Sequence, residues 1–65
     1  MPIDNTKTFF HTFFFDNDTY SADKIDMQVD PFVVRFSIDN RMIEEIYDRG
    51  KRLYRILPAG KEIIK

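Results

Sequence analysis

Residues 52–60 read Arg-Leu-Tyr-Arg-Ile-Leu-Pro-Ala-Gly, and the parsing of this stretch decides the fold. The run Arg52 to Leu57 suits a strand. Pro58 presets the first position of a turn and Gly60 supplies a left-handed residue, so Pro58-Ala59-Gly60 predicts a three-residue hairpin loop. Residues 61–65 would then form the returning strand. A second parsing fits the same residues. Positions 43, 46, 47, 50, 53, 54 and 57 share a helical face, so one long helix could run to Leu57, with Gly50 costing about 1 kcal/mol against alanine. The Pro-Ala-Gly triplet favours the strand, but both parsings stay open at this point.

Upstream, Asp39 or Asn40 can cap a helix, with Glu44 and Glu45 near its positive end. Met42, Ile43, Ile46 and Tyr47 supply an apolar stripe, and Arg49-Gly50 reads as a helix stop. A helix is therefore expected over about 40–49. Residues 32–38 (Phe-Val-Val-Arg-Phe-Ser-Ile) read as a strand with one wet side, and Asp30-Pro31 as a break before it. Residues 25–29 alternate apolar and polar like a short strand. Residues 16–24 read as a loop, because Asp, Asn and Ser bond their own backbone. Residues 7–15 (Lys-Thr-Phe-Phe-His-Thr-Phe-Phe-Phe) carry the strongest strand signal by aromatic and β-branched content. Residues 1–6 are polar and expected to fray.

The expected fold class is thus α+β: a small, mainly antiparallel sheet of three to five strands with one helix (about 40–49) packed on one face. Its core would comprise Phe13, Phe15, Val34, Phe36, Ile38, Met42, Ile43, Ile46, Leu53 and Ile56.

A chain of 65 residues holds one domain and buries little surface. Small scaffolds lean on disulfides, metals or association. No cysteine is present, and His11 is the single histidine. Disulfides and thiolate metal sites are therefore excluded. The start lacks the basic and apolar regions of a signal peptide, and no apolar run approaches the ~18 residues of a membrane helix. A cytoplasmic protein without membrane contact is expected.

Charge is uneven along the chain. Residues 1–34 hold two basic groups (Lys7, Lys24) against six aspartates, whereas residues 35–65 hold eight basic groups against five acidic ones. Such asymmetry can steer partners or bring two copies together.

Sites of chemistry are hard to assemble. Asp16-Asn17-Asp18 has the spacing of calcium-loop ligands, but Ser21 and Met27 stand where the loop needs glycine and glutamate. An Asp-rich turn is the better reading. His11 has no second histidine or thiol beside it, and Ser21 and Ser37 sit in no nucleophile pattern. Gly50 and Gly60 are too few for a phosphate-cradling loop. No catalytic residue, metal, cofactor or small-molecule substrate is expected.

Arg41, Arg49, Lys51, Arg52 and Arg55 cluster with Tyr47 and Tyr54, a combination suited to nucleic acid or an acidic partner. The pI near 5.7 and the neighbouring Glu44, Glu45 and Asp48 weigh against nucleic acid. The ten aromatic residues point elsewhere. A strand over 7–15 would be apolar on both faces, leaving Phe10 and Phe14 outside as a contact patch if Phe9, Phe13 and Phe15 enter the core, or the reverse. The leading expectation is a non-enzymatic protein-interaction module (a small regulator, inhibitor or accessory subunit), as a homodimer or bound to a larger protein, with Phe10, His11, Phe14 and Tyr54 at the interface. The alternative is a small nucleic-acid-binding regulator using Arg49, Lys51, Arg52 and Arg55.

Within Phe32 to Lys61, the order Phe32-Val33-Val34-Arg35, Asp39-Asn40, Gly50-Lys51 resembles the small linker domains of cyanobacterial phycobilisomes. Those run strand, cap, helix, then Gly-Gly-Lys into a strand. Here one glycine stands for two, the helix is about three residues short, and the first half does not match. The resemblance implies a linker-like subunit of a larger assembly as a remote alternative, and reduces to a shared strand–helix–strand idiom.

Overall fold

The computed structural model describes residues 2–64. It is an α+β fold in which a three-stranded antiparallel sheet is accompanied by four helices. The elements run α1 (Pro2–Phe14), β1 (Thr19–Ser21), α2 (Ala22–Gln28), α3 (Pro31–Asp39), β2 (Ile43–Asp48), β3 (Lys51–Ile56) and α4 (Pro58–Ile64). The α+β class and the antiparallel sense of the sheet agree with expectation, and three strands lie at the low end of the expected three to five. The number of helices and most element types do not.

The largest correction is at the phenylalanine run. Residues 7–14 belong to α1, not to a strand. Thr6, Phe9, Phe10, Phe13 and Phe14 are buried, whereas Asn5, Lys7, Thr8, His11 and Thr12 are exposed. That spacing of three and four is a helical stripe. Phenylalanine is a mediocre helix former, but burial of a continuous face outweighs intrinsic propensity. The rings meet edge to face, as their quadrupoles prefer: Phe10 and Phe14 lie 5.9 Å apart at 76°, and Phe13 meets Tyr20 at 4.9 Å and 71°. Of the stretch expected to fray, Met1 lies outside the described residues, and residues 2–6 form the first turns of α1.

Of the segments 25–29 and 32–38, expected as strands, residues 25–28 and 32–38 are helical, with Val29 the extended cap of α2. Ser21 caps α2, its Oγ accepting from the Lys24 amide. Asp30-Pro31 begins a helix where a break was expected: Asp30 Oδ1 accepts from the Phe32 amide at 2.8 Å, and Pro31 takes the first helical position. Val33, Val34 and Ser37 form the buried stripe of α3, and the Ser37 hydroxyl donates to the Val33 carbonyl at 2.8 Å.

Asp39 and Asn40, expected to start a helix, end one. The Met42 amide donates to the Ser37 carbonyl and the Arg41 amide to that of Ile38, with Arg41 left-handed at φ 57°. This is a Schellman closure with arginine in the usual glycine position. Residues 43–48 are therefore released to form β2. Arg49 and Gly50, at φ 54° and 79°, make the two-residue turn of a tight hairpin, with Asp48 opposite Lys51. The 51–57 ambiguity resolves as strand. Pro58-Ala59-Gly60 is not a hairpin loop but the start of α4, whose first turn closes from the Lys61 amide to the Leu57 carbonyl at 3.0 Å. Residues 61–64 are helical and Lys65 lies outside the described residues. A Cβ on Gly60 would collide with the Met42 carbonyl and come within 2.8 Å of Ile56 Cγ1, so glycine allows α4 to sit close.

The core gathers Phe9, Phe10, Phe13, Phe14, Ala22, Ile25, Val33, Val34, Ile43, Tyr54 and Ile56. Of the expected core residues, Phe13, Val34, Ile43 and Ile56 are buried, Met42 packs partly against them, and Phe15 and Ile38 are exposed.

Candidate functional site

The sheet has two unlike faces. Strand alternation places Arg52, Tyr54 and Ile56 of β3 on one side, with Ile43, Glu45 and Tyr47 of β2 and Tyr20 of β1. This is the side where Ile43, Tyr54 and Ile56 enter the core. The other side carries Lys51, Leu53 and Arg55 of β3, Glu44, Ile46 and Asp48 of β2, and Thr19 and Ser21 of β1. Ile46 and Leu53 stand opposite one another there, half-buried and outside the core cluster.

On the covered side, Arg52 joins α2 to the sheet. Asp23 and Asp26, three apart on one face of α2, both accept from Nη2, Asp23 at 3.1 Å. Glu45 of β2 accepts from Nη1 at 3.0 Å. The hydrogen bonds it donates to Asp26, Glu45 and Asp23 push the guanidinium pKa up, so Arg52 stays charged. Tyr54 lies beside it, its ring 5.7 Å from the Arg52 guanidinium carbon and its hydroxyl donating to Asp26 Oδ1 at 3.0 Å. Burial first, and that hydrogen bond second, hold the Tyr54 hydroxyl above the ordinary phenol value. The cation is fully engaged by carboxylates, and the cluster works as a pin between α2 and the hairpin.

The residues expected at a protein interface are dispersed. Phe10 and Phe14 are core residues at 0% and 3% exposure, and Tyr54 is buried at 3%. They offer no surface, because the helical spacing puts both phenylalanines on the covered stripe. His11 remains exposed and stacks on the exposed Phe15 at 5.8 Å. The four basic residues are separated by strand alternation: Arg52 faces α2, while Lys51 and Arg55 face the bare side. Arg55 donates to Glu44 through Nε at 2.8 Å. Arg49 and Lys51 sit exposed at the hairpin tip.

Asp18 lies 3.9 Å from Lys61, and its carbonyl accepts from the Ile56 amide. Among the described residues, no group of three or more His, Cys, Asp or Glu side chains could hold a metal ion. No helix among them is long and apolar enough to cross a membrane. An open groove of about 440 Å³ runs between α1 and the α2–α3 junction, floored by Phe9, Phe13 and Val33 and rimmed by Thr8, Thr12 and Gln28. Buried side-chain nitrogen and oxygen atoms among the described residues all have hydrogen-bond partners.

The bare sheet face was the feature hardest to foresee. Its signal is the alternation Glu44-Glu45-Ile46 against Arg52-Leu53-Tyr54-Arg55, which becomes legible only once Arg49-Gly50 is read as a hairpin turn. The chain matches no protein-family model, no curated protein and no solved structure.

Proposed function

We propose that this protein is a non-enzymatic interaction module, a small regulator, inhibitor or accessory subunit that acts by protein contact through the bare face of its sheet. The observation that supports this reading is the pair Ile46 and Leu53, set at the middle of a sheet face with no core residue packed against them. A sheet ordinarily buries its apolar positions against another layer. Here one face has its layer of helices and the other has none among the described residues. The contact residues in this reading are Glu44, Ile46, Lys51, Leu53 and Arg55, in place of Phe10, Phe14 and Tyr54. A nucleic-acid contact through Arg49, Lys51, Arg52 and Arg55 has less support, since carboxylates already engage Arg52 and Arg55.

The test compares wild type with Leu53→Asp as bait in extract of the source cell, after circular dichroism has established equal folding. Proteins retained by wild type and lost from the variant are expected. An identical set on both baits, together with no self-association that Leu53→Asp abolishes, overturns the reading.

A further inference from the structure

The charges on the bare face are ordered in columns. Along β2 the outward side chains run Glu44, Ile46, Asp48: acid, apolar, acid. Along β3 the residues directly opposite run Arg55, Leu53, Lys51: base, apolar, base. Each row is thus an opposite pair, with the apolar pair in the middle. Such a face is complementary to itself in one particular orientation. Consider a second copy placed face to face and related by a two-fold axis parallel to the strands, running midway between β2 and β3. The rotation exchanges the columns and keeps each row level. Glu44 then stands over Arg55 of the second copy, Ile46 over Leu53, and Asp48 over Lys51. Every charged corner forms a square of alternating sign. A two-fold axis perpendicular to the strands fails, because it stacks acid on acid and base on base.

We propose that the partner of this face is a second copy of the chain, docked in that orientation. This deepens the reading of the bare face as a contact surface and rests on it. The arrangement is an isologous contact, in which the same patch serves both copies, and it resembles the aligned packing of two sheets. The area is small. Two strands of six residues present a plane about 10 Å by about 20 Å. This falls below the roughly 1,000 Å² of total buried surface typical of stable interfaces. The dimer is therefore weak and exchanging, and the charge squares serve orientation more than affinity.

Nitrogen–proton correlation spectra recorded from about 20 µM to about 2 mM span the range in which such a weak complex assembles. Concentration-dependent shifts are expected at Glu44, Ile46, Asp48, Lys51, Leu53 and Arg55, and not on α1. Leu53→Asp should abolish them. Glu44→Arg and Arg55→Glu, each alone, set like charges over one another across this interface and should not self-associate. Mixed with each other, the two variants again oppose unlike charges across the interface in every row, and the mixture should restore the shifts. A mixture that stays silent where wild type shifts overturns the orientation. Absence of any shift at about 2 mM overturns the dimer. The bait comparison above then separates the two ideas. A foreign protein lost on Leu53→Asp preserves the face as a contact surface with another occupant, whereas no such protein removes both.

Discussion

The two faces of one small sheet are built on different principles. The covered face is specified by shape: aromatic rings from α1 interlock above Ile43, Tyr54 and Ile56, and Arg52 draws α2 onto the same side through Asp23 and Asp26. The bare face is specified by pattern: charged columns of opposite sign bracket one apolar pair. The difference teaches that stability and recognition are divided across the sheet. Substitutions should separate them.

The sharpest break is expected on the covered face. Phe10 is fully buried among other rings, and truncating such a residue costs about 3–5 kcal/mol. Small domains have only about 5–15 kcal/mol in total. Phe10→Ala should therefore unfold early in urea, measured by far-ultraviolet circular dichroism. Retention of wild-type stability would falsify the account of α1 as the core helix.

Gly60→Ala comes next. The added methyl meets the Met42 carbonyl and the Ile56 side chain, and overpacking of this type costs about 1–3 kcal/mol. Thermal melting should show the loss.

Tyr54 supplies a smaller, pH-dependent effect. Its folded pKa is raised, so the fold favours the protonated phenol. The associated stability is complete below the unfolded value of about 10 and is lost as pH rises through the folded one. An absorbance titration should show one of the three tyrosines ionising last. Tyr54→Phe should remove that late step. Loss of an earlier step in its place would contradict the assignment.

The smallest effect on folding is expected on the bare face. Leu53→Ser, at a half-buried position outside the core cluster, should change stability by no more than about 0.5 kcal/mol. The same substitution should weaken association in the dilution spectra. A loss of stability matching that of Phe10→Ala would mean that Leu53 belongs to the core and that the two faces are not distinct.

Much of this contrast was hidden in the chain for a definite reason. The punctuation is correctly located: Asp30-Pro31, Asp39-Asn40, Arg49-Gly50 and Pro58 all lie at element boundaries. Its sense is reversed, because the same residue types serve opposite ends. Aspartate and asparagine suit both an N-cap and the close of a helix. A left-handed residue suits both a helix end and a hairpin turn. Arg41 and Arg49 adopt that conformation without being glycine, so neither turn announces itself. Once one boundary is read in the wrong sense, the neighbouring segments follow it, and helix and strand are exchanged from residue 32 to residue 49.

The amino-acid sequence by itself determined the α+β class, a small and mainly antiparallel sheet and the absence of disulfides, and it favoured a strand over 51–56 without excluding one long helix across the same residues. Only the tertiary structure decided that the phenylalanine run is a helix, that Phe10, Phe14 and Tyr54 are interior, and that Ile46 and Leu53 are left on the open side. Short apolar runs satisfy both periods, and the choice between them is made by which face finds something to bury against.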